Sequence, residues 1–89
     1  MKKIVEVKGF KGLKGLESLI GKEVMLFCVN YIYAGTITVV NDTCVLLNNA
    51  KIVYETGAFD EPGYKDAQSL PTGQWYVSRS AIESFGLSK

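Results

Sequence analysis

The side chains with the greatest potential for covalent or metal chemistry are the two cysteines, Cys28 and Cys44. Each lies inside an apolar run, V-M-L-F-C-V or T-C-V-L-L, where a free thiol packs as a small hydrophobic group. The sequence contains no histidine, the commonest general base and the commonest metal ligand in proteins. We therefore expect both cysteines to be core residues in a protein that is not an enzyme and binds neither a cofactor nor a metal.

Three carboxylates, Asp60, Glu61 and Asp66, raise the alternative of a calcium site. They lack the alternating ligands and the terminal glutamate of an EF-hand loop. They also fall within residues 56–73, which hold both prolines of the chain and three of its nine glycines. This composition predicts a solvated, variable loop rather than an ion site.

The N-terminal region carries a miniature repeat, K-G-F, K-G-L, K-G-L, over residues 8–16. Clustered glycines free backbone amides for an anion, so one interpretation is a phosphate cradle. No Walker or dinucleotide-binding spacing accompanies the repeat. We therefore favour an N-terminal extension over 1–12 with a short strand at 3–8, followed by a short helix over about 14–20. Apolar residues at helical spacing support that helix: Leu13, Leu16, Leu19 and Ile20.

Length and charge limit the classes of function. With 89 residues, 47% of them hydrophobic, the chain predicts one domain over 1–89. No apolar run approaches the roughly 20 residues that span a bilayer, and charges interrupt the start of the chain, so we expect a cytoplasmic protein without a membrane partner. Six lysines lie within 1–22, whereas residues 23–89 carry a net charge of −3. The total of +1 argues against strong, non-specific duplex binding, so any nucleic-acid site must be local.

The remaining pattern predicts a mainly β fold of five strongly bent antiparallel strands in a small barrel. Turns are expected at 30–31, 41–42 and 78–80, and the long third strand is expected to be irregular at 48–49. Gly35 lacks a side chain and permits the bend that closes a small barrel. The five runs with strand character are 23–29, 32–40, 43–55, 74–78 and 81–85.

Three segments resemble motifs of one family of small barrels. L-E-S-L-I-G-K-E-V, over 16–24, is similar to the junction between the helix and the first strand of Sm-like proteins. G-T-I-T-V-V-N-D-T-C-V-L-L-N-N, over 35–49, resembles their glycine-containing strand, and V-S-R-S-A-I-E-S-F, over 77–85, resembles their second motif as the Hfq branch carries it. Periodicity alone also permits an OB-fold or a related barrel. The motifs favour a divergent bacterial- or phage-type member of the Sm-like (LSm/Hfq) family.

This resemblance implies a closed ring of about five to seven identical subunits. In such rings the fourth strand of one barrel pairs with the fifth strand of its neighbour, which removes open backbone edges that would otherwise invite aggregation. The partner implied is therefore the chain itself, with no small-molecule substrate. The expected interface residues are Trp75, Tyr76, Val77, Ile82 and Phe85.

The resemblance also implies that two turns line the ring's pore and bind single-stranded RNA, usually rich in uridine. Arg79 could contact a phosphate or stack on a base, and Asn41 offers a donor and an acceptor to a base edge. On the other ring face, Tyr31 is the candidate for an exposed aromatic contact. The pore-lining residues implied are Asn41, Asp42, Thr43, Ser78, Arg79 and Ser80.

Three departures from the family keep a second hypothesis open. Thr43 stands where Hfq stacks an aromatic ring on a base, and Ser80 replaces a histidine of Hfq. Val45 stands where eukaryotic Sm proteins place an asparagine that reads a base. Loss of an aromatic side chain that stacks on a base weakens RNA binding by about 1 to 3 kcal/mol per base. The alternative is a ring that serves as a structural or protein-interaction module without RNA binding.

Overall fold

A computed structural model describes residues 15–89, so the strand expected at 3–8, the extension over 1–12 and most of the K-G-x repeat lie outside the described residues. The described part contains six strands and two short 3₁₀ helices, here called the N-terminal and the connecting 3₁₀ helix. In chain order, the elements are the N-terminal 3₁₀ helix (Gly15–Leu19), β1 (Glu23–Cys28), β2 (Ile32–Val40), β3 (Cys44–Glu55), β4 (Asp66–Ser69), β5 (Gln74–Ser78), the connecting 3₁₀ helix (Arg79–Ala81) and β6 (Ile82–Leu87).

All six strands belong to one antiparallel sheet, which confirms the mainly β prediction. The strand order is β4-β3-β2-β1-β6, and β5 also pairs with β3. With 12 residues, β3 is long enough to pair with two strands along one edge. Its first half pairs with β5, as in Val45 with Val77, and its second half pairs with β4, as in Lys51 with Ser69. Within residues 15–89, no helix is long and apolar enough to cross a membrane.

Two details of the predicted fold need correction. The loop expected over 56–73 contains β4, so the described sheet has six strands rather than five. The sequence D-A-Q-S has no apolar alternation, and it becomes a strand because β3 offers it an unpaired edge. The sheet also does not close into a barrel. Within the described chain, β5 pairs only with β3 and β6 only with β1, so the strands on either side of the three-residue connecting 3₁₀ helix do not pair with each other.

The core lies between the inner faces of the bent strands. In β3, Val45 and Leu47 point inward from alternate positions and are fully buried. Leu16 of the N-terminal 3₁₀ helix joins the same cluster. Each fully buried side chain of this size stabilises the fold by about 1.5 to 3 kcal/mol. The buried cluster consists of Leu16, Val24, Leu26, Ile37, Val45, Leu47, Ala50 and Val77.

The bend expected at Gly35 coincides with a bulge between β2 and β3. The pairing register shifts between Ala34 and Thr36, so two residues of β3 oppose the single Gly35. One of them, Asn49, has a left-handed backbone with φ of 53°, which confirms the irregularity predicted at 48–49. A Cβ atom on Gly35 would lie 2.8 Å from the carbonyl oxygen of Asn48. Glycine is therefore required at position 35, because the backbone of β3 lies too close for a side chain.

Candidate nucleic-acid interface

The two turns predicted to bind RNA, 41–43 and 78–80, lie side by side; we call them the turn cluster. Ser78 pairs with Cys44 at the end of the β3–β5 ladder, which brings the turns together. The backbone amide of Arg79 then donates to the carbonyl of Thr43 at 2.8 Å, and its guanidinium Nη1 donates to the carbonyl of Asn41 at 2.8 Å. The structure thus brings all six residues of the two turns into one patch.

Asn41 organises its own turn. Its Oδ1 accepts hydrogen bonds from the backbone amides of Thr43 at 2.8 Å and Cys44 at 2.9 Å, and from the Thr43 hydroxyl at 3.1 Å. This is the local side-chain bonding expected of asparagine at a turn. The amide oxygen is therefore already engaged, and the Nδ2 donor is the part of the side chain left for a ligand.

Arg79 contacts both the Asn41 turn and the N-terminal 3₁₀ helix. Besides its bond to Asn41, the guanidinium places Nη2 at 3.2 Å from Oε2 of Glu17, in the middle of the N-terminal 3₁₀ helix. Both side chains are partly exposed, so this ion pair is worth little in stability. The ion pair instead acts locally, because the Glu17 carboxylate offsets the positive charge of Arg79 that an RNA phosphate would contact.

Asn41→Ala is expected to lower the free energy of unfolding by about 1 kcal/mol, the net value of a typical lost hydrogen bond. The variant leaves the amides of Thr43 and Cys44 without their side-chain acceptor. Asn41→Asp keeps an acceptor in place and should stay close to the wild type. Urea unfolding followed by circular dichroism measures both variants; equal losses would show that the acceptor is not what stabilises the turn.

Tyr31 lies across the connecting 3₁₀ helix from the Asn41 turn. The Val29 amide donates to the Ala81 carbonyl at 2.9 Å, which ties the β1–β2 turn to that helix. Tyr31 is 52% exposed, and its ring meets Tyr33 edge to face with centroids 6.2 Å apart. Together with Tyr76 they line a cleft of about 180 Å³, here called the tyrosine cleft. The alternation of Tyr31 with Tyr33 is the sequence signal that would have indicated it.

Cys28 also lines the tyrosine cleft. Burial, followed by the carboxylate of Glu83, raises the pKa of its thiol, so the thiol stays protonated at neutral pH and is a poor nucleophile. Burial, with Cys28 and Tyr31 nearby, likewise raises the pKa of Tyr33. Both cysteines are free and half-buried, and Cys28 packs against the buried cluster, so the core position expected for both is only partly correct.

The predicted interface residues divide into two sets. Trp75, Val77 and Ile82 face the core, where Val77 is buried and the other two pack against the buried cluster. Tyr76 is 70% exposed on β5, and Phe85 is 40% exposed on β6. The sequence prediction omitted Leu87, which is also exposed on β6. β5 and β6, two of the strands with a free edge, therefore carry large exposed apolar side chains.

Comparisons of the chain with protein-family models, with curated proteins and with solved structures found no match.

The charge of the described residues is not that of a strong polyanion binder. Residues 15–89 contain five basic and eight acidic side chains, a net of −3. At the turn cluster, Arg79 is accompanied by the acidic side chains of Glu17 and Asp42. Within these residues, no three histidine, cysteine or carboxylate side chains come together as metal ligands would.

Proposed function

We propose that this protein is the subunit of a closed, homo-oligomeric Sm-like ring that binds single-stranded RNA. The observation that carries the proposal is the pair of unpaired strand edges, on β5 and β6. Within residues 15–89, β5 pairs only with β3 and β6 only with β1, so each has one row of free backbone groups. Free edges of this kind pair readily with another chain.

The third strand with a free edge, β4, differs from β5 and β6 in length and polarity. β4 is four residues long, and its sequence D-A-Q-S is polar and mostly exposed. Short, charged edges resist pairing. β5 and β6, with Tyr76 and Phe85 on them, have the apolar surface that interfaces bury.

The strand order favours a ring over a two-fold dimer. β5 lies on the β3 side of the sheet and β6 on the β1 side, so pairing β5 of one copy with β6 of the next joins two different surfaces. Such head-to-tail contacts generate a ring when the rotation closes. The two strands, of five and six residues, match in length. About five to seven subunits would complete the ring, as the family resemblance implies.

The turn cluster supports RNA as the ligand. Asn41, Thr43 and Ser80 are exposed there with polar side chains, and Arg79 stands between the two turns. Asparagine and serine can read the edge of an unpaired base, and arginine can contact phosphate or stack. A ring repeats the cluster once per subunit, so weak contacts add up along one strand of RNA.

A second candidate is a ring that acts as a structural or protein-interaction module. The specific observation in its favour is the engagement of Arg79, whose guanidinium already meets Glu17 and the Asn41 carbonyl. Binding phosphate would then compete with an internal ion pair.

Binding of labelled single-stranded RNA, measured by fluorescence anisotropy at low salt, separates the two candidates. We expect oligouridine or mixed RNA to bind the wild type, and Arg79→Ala to bind roughly tenfold more weakly, equivalent to about 1.4 kcal/mol. Glu17→Gln should tighten binding, because it frees Arg79 and removes a negative charge. Raised salt should weaken all complexes.

Lys51→Ala is the matched control, since Lys51 is an exposed cation on β3 beside β4, distant from the turn cluster. It should bind as the wild type does, and light scattering should show the same assembly for every variant. Failure of the wild type to bind any RNA pool at low salt would reject RNA binding and leave the structural ring.

A further inference from the structure

The ammonium group of Lys89 contacts the loop that follows β3. Its Nζ donates to the carbonyl oxygens of Thr56 and Ala58, both at 2.6 Å. The rings of Phe59 and Tyr64 lie on the same group, with centroids at 5.8 Å and 5.6 Å. We call these two carbonyls and two rings the ammonium cage.

The backbone of the loop directs the carbonyl oxygens of Thr56 and Ala58 towards the same ammonium group. Gly57, between Thr56 and Ala58, has a φ of +74°, a conformation that other residues rarely adopt. A Cβ atom at this position would come within 3.8 Å of the Lys89 ammonium and 3.4 Å of Lys65. These are ordinary contact distances, so glycine is favoured at 57 by the backbone conformation of the turn rather than by lack of space.

The cage opens into a cleft that favours positive ligands. The cleft measures about 450 Å³, larger than one ammonium group, and Glu55 and Glu61 line it. Lys65 also lines it, but its ammonium is 3.9 Å from the Glu55 carboxylate. Aromatic faces attract cations through their negative quadrupole, by about 0.5 to 1 kcal/mol at a solvent-exposed site such as this one, where Phe59 is 63% exposed.

We propose that the ammonium cage is a binding site for a primary ammonium, the side chain of a lysine, and that Lys89 occupies it in cis. The two carbonyl oxygens at 2.6 Å each require an N–H donor. A primary ammonium supplies three such donors, whereas a quaternary ammonium supplies none. The site therefore selects unmodified lysine over its trimethylated form. This inference is independent of the proposed ring and of RNA.

Lys89 competes with any external lysine as an intramolecular ligand. A tethered group of this kind acts at an effective concentration of roughly millimolar. The wild-type cage is thus closed to dilute ligands, and it opens when the tail loses its charge. Lysine acetylation is one modification that removes this charge.

The test titrates full-length, ¹⁵N-labelled Lys89→Gln with n-butylammonium chloride and follows the backbone amide signals. We expect saturable shifts confined to residues 56–64 at roughly millimolar ligand, and a half-saturating concentration roughly twofold higher in the wild type, where Lys89 competes at a similar effective concentration. Tetramethylammonium chloride at equal ionic strength should give little response. Phe59→Leu in the Lys89→Gln background should weaken binding several-fold, because it removes one ring.

Lys65→Gln is the matched control, because it removes a cation from the same cleft and leaves Lys89 in the cage. It should respond as the wild type does. Absence of saturable shifts in Lys89→Gln, or equal shifts with tetramethylammonium, would overturn the proposal.

A second measurement needs no substitution. In the wild type, the Lys89 ammonium protons should exchange with solvent several-fold more slowly than those of the exposed Lys51, and equal rates would overturn the cage. Mixing labelled Lys89→Gln with unlabelled wild type identifies the source of the lysine. Shifts over 56–64 assign the ligand to Lys89 of a second copy. A butylammonium response without such shifts leaves Lys89 of the same chain as the occupant.

Discussion

Tyr76→Asp is expected to dissociate the proposed ring into subunits of 9.8 kDa. Tyr76 is 70% exposed in the isolated subunit, so a carboxylate there leaves the subunit fold nearly unaffected. In the ring, the same position would face the β6 edge of the neighbour, near its Phe85. A buried carboxylate without a partner destabilises an interface by several kcal/mol. Light scattering should therefore report one subunit, while circular dichroism remains that of the folded sheet.

Tyr54→Asp is the matched control for this variant. Tyr54 is also an exposed tyrosine, at 56%, but it lies on β3, which pairs with other strands on both sides. Its replacement should leave the assembly at the mass of the wild type. If Tyr76→Asp assembled as the wild type does, the β5 edge would not be the interface.

Gly35→Ala is expected to lower the free energy of unfolding by about 3 kcal/mol, the upper part of the range for overpacked sites. The new Cβ would lie 2.8 Å from the Asn48 carbonyl oxygen and 3.2 Å from the Cα of Ala50. Both neighbours are backbone atoms in the bulge of β3, so they cannot rotate away as a side chain would. A domain of this length has a total stability of about 4 to 13 kcal/mol, so the loss is a large fraction.

Gly86→Ala provides the comparison. Gly86 is also a strand glycine, but a Cβ there meets nothing within 4 Å and its φ is not positive. Urea unfolding should find it within about 0.5 kcal/mol of the wild type. Equal stabilities for the two alanine variants would contradict the view that close backbone approach requires glycine at 35.

Local patterns were sufficient to predict most of the sheet. β2 at Ile32–Val40 and β5 at Gln74–Ser78 have the bounds expected from their apolar and β-branched runs. Gly35 indicated the bend, and Asn41 indicated the turn that its own side chain organises. β4 was not predictable, since D-A-Q-S becomes a strand only against the free edge of β3. The open sheet was likewise not predictable, because it depends on which strands pair, and the apolar runs of the sequence do not record pairing.

The sequence indicated which residues form the candidate site, but not which contacts already engage their side chains. Sequence composition predicted turns at Asn41 and Arg79, and the family resemblance implied that the two turns lie together. The structure brings the two residues into contact. The engagement of Arg79 by Glu17 depends on packing between residues far apart in the chain, which no local pattern records. The same applies to the ammonium cage, where Lys89 at the end of the chain meets the loop after β3.

The central claim is that this subunit forms a closed ring through the edges of β5 and β6. Its most direct test is the mass of the wild-type protein in solution, measured by light scattering at micromolar concentration. We expect a single species of about five to seven times the 9.8 kDa of one subunit. A species of 9.8 kDa would contradict the claim.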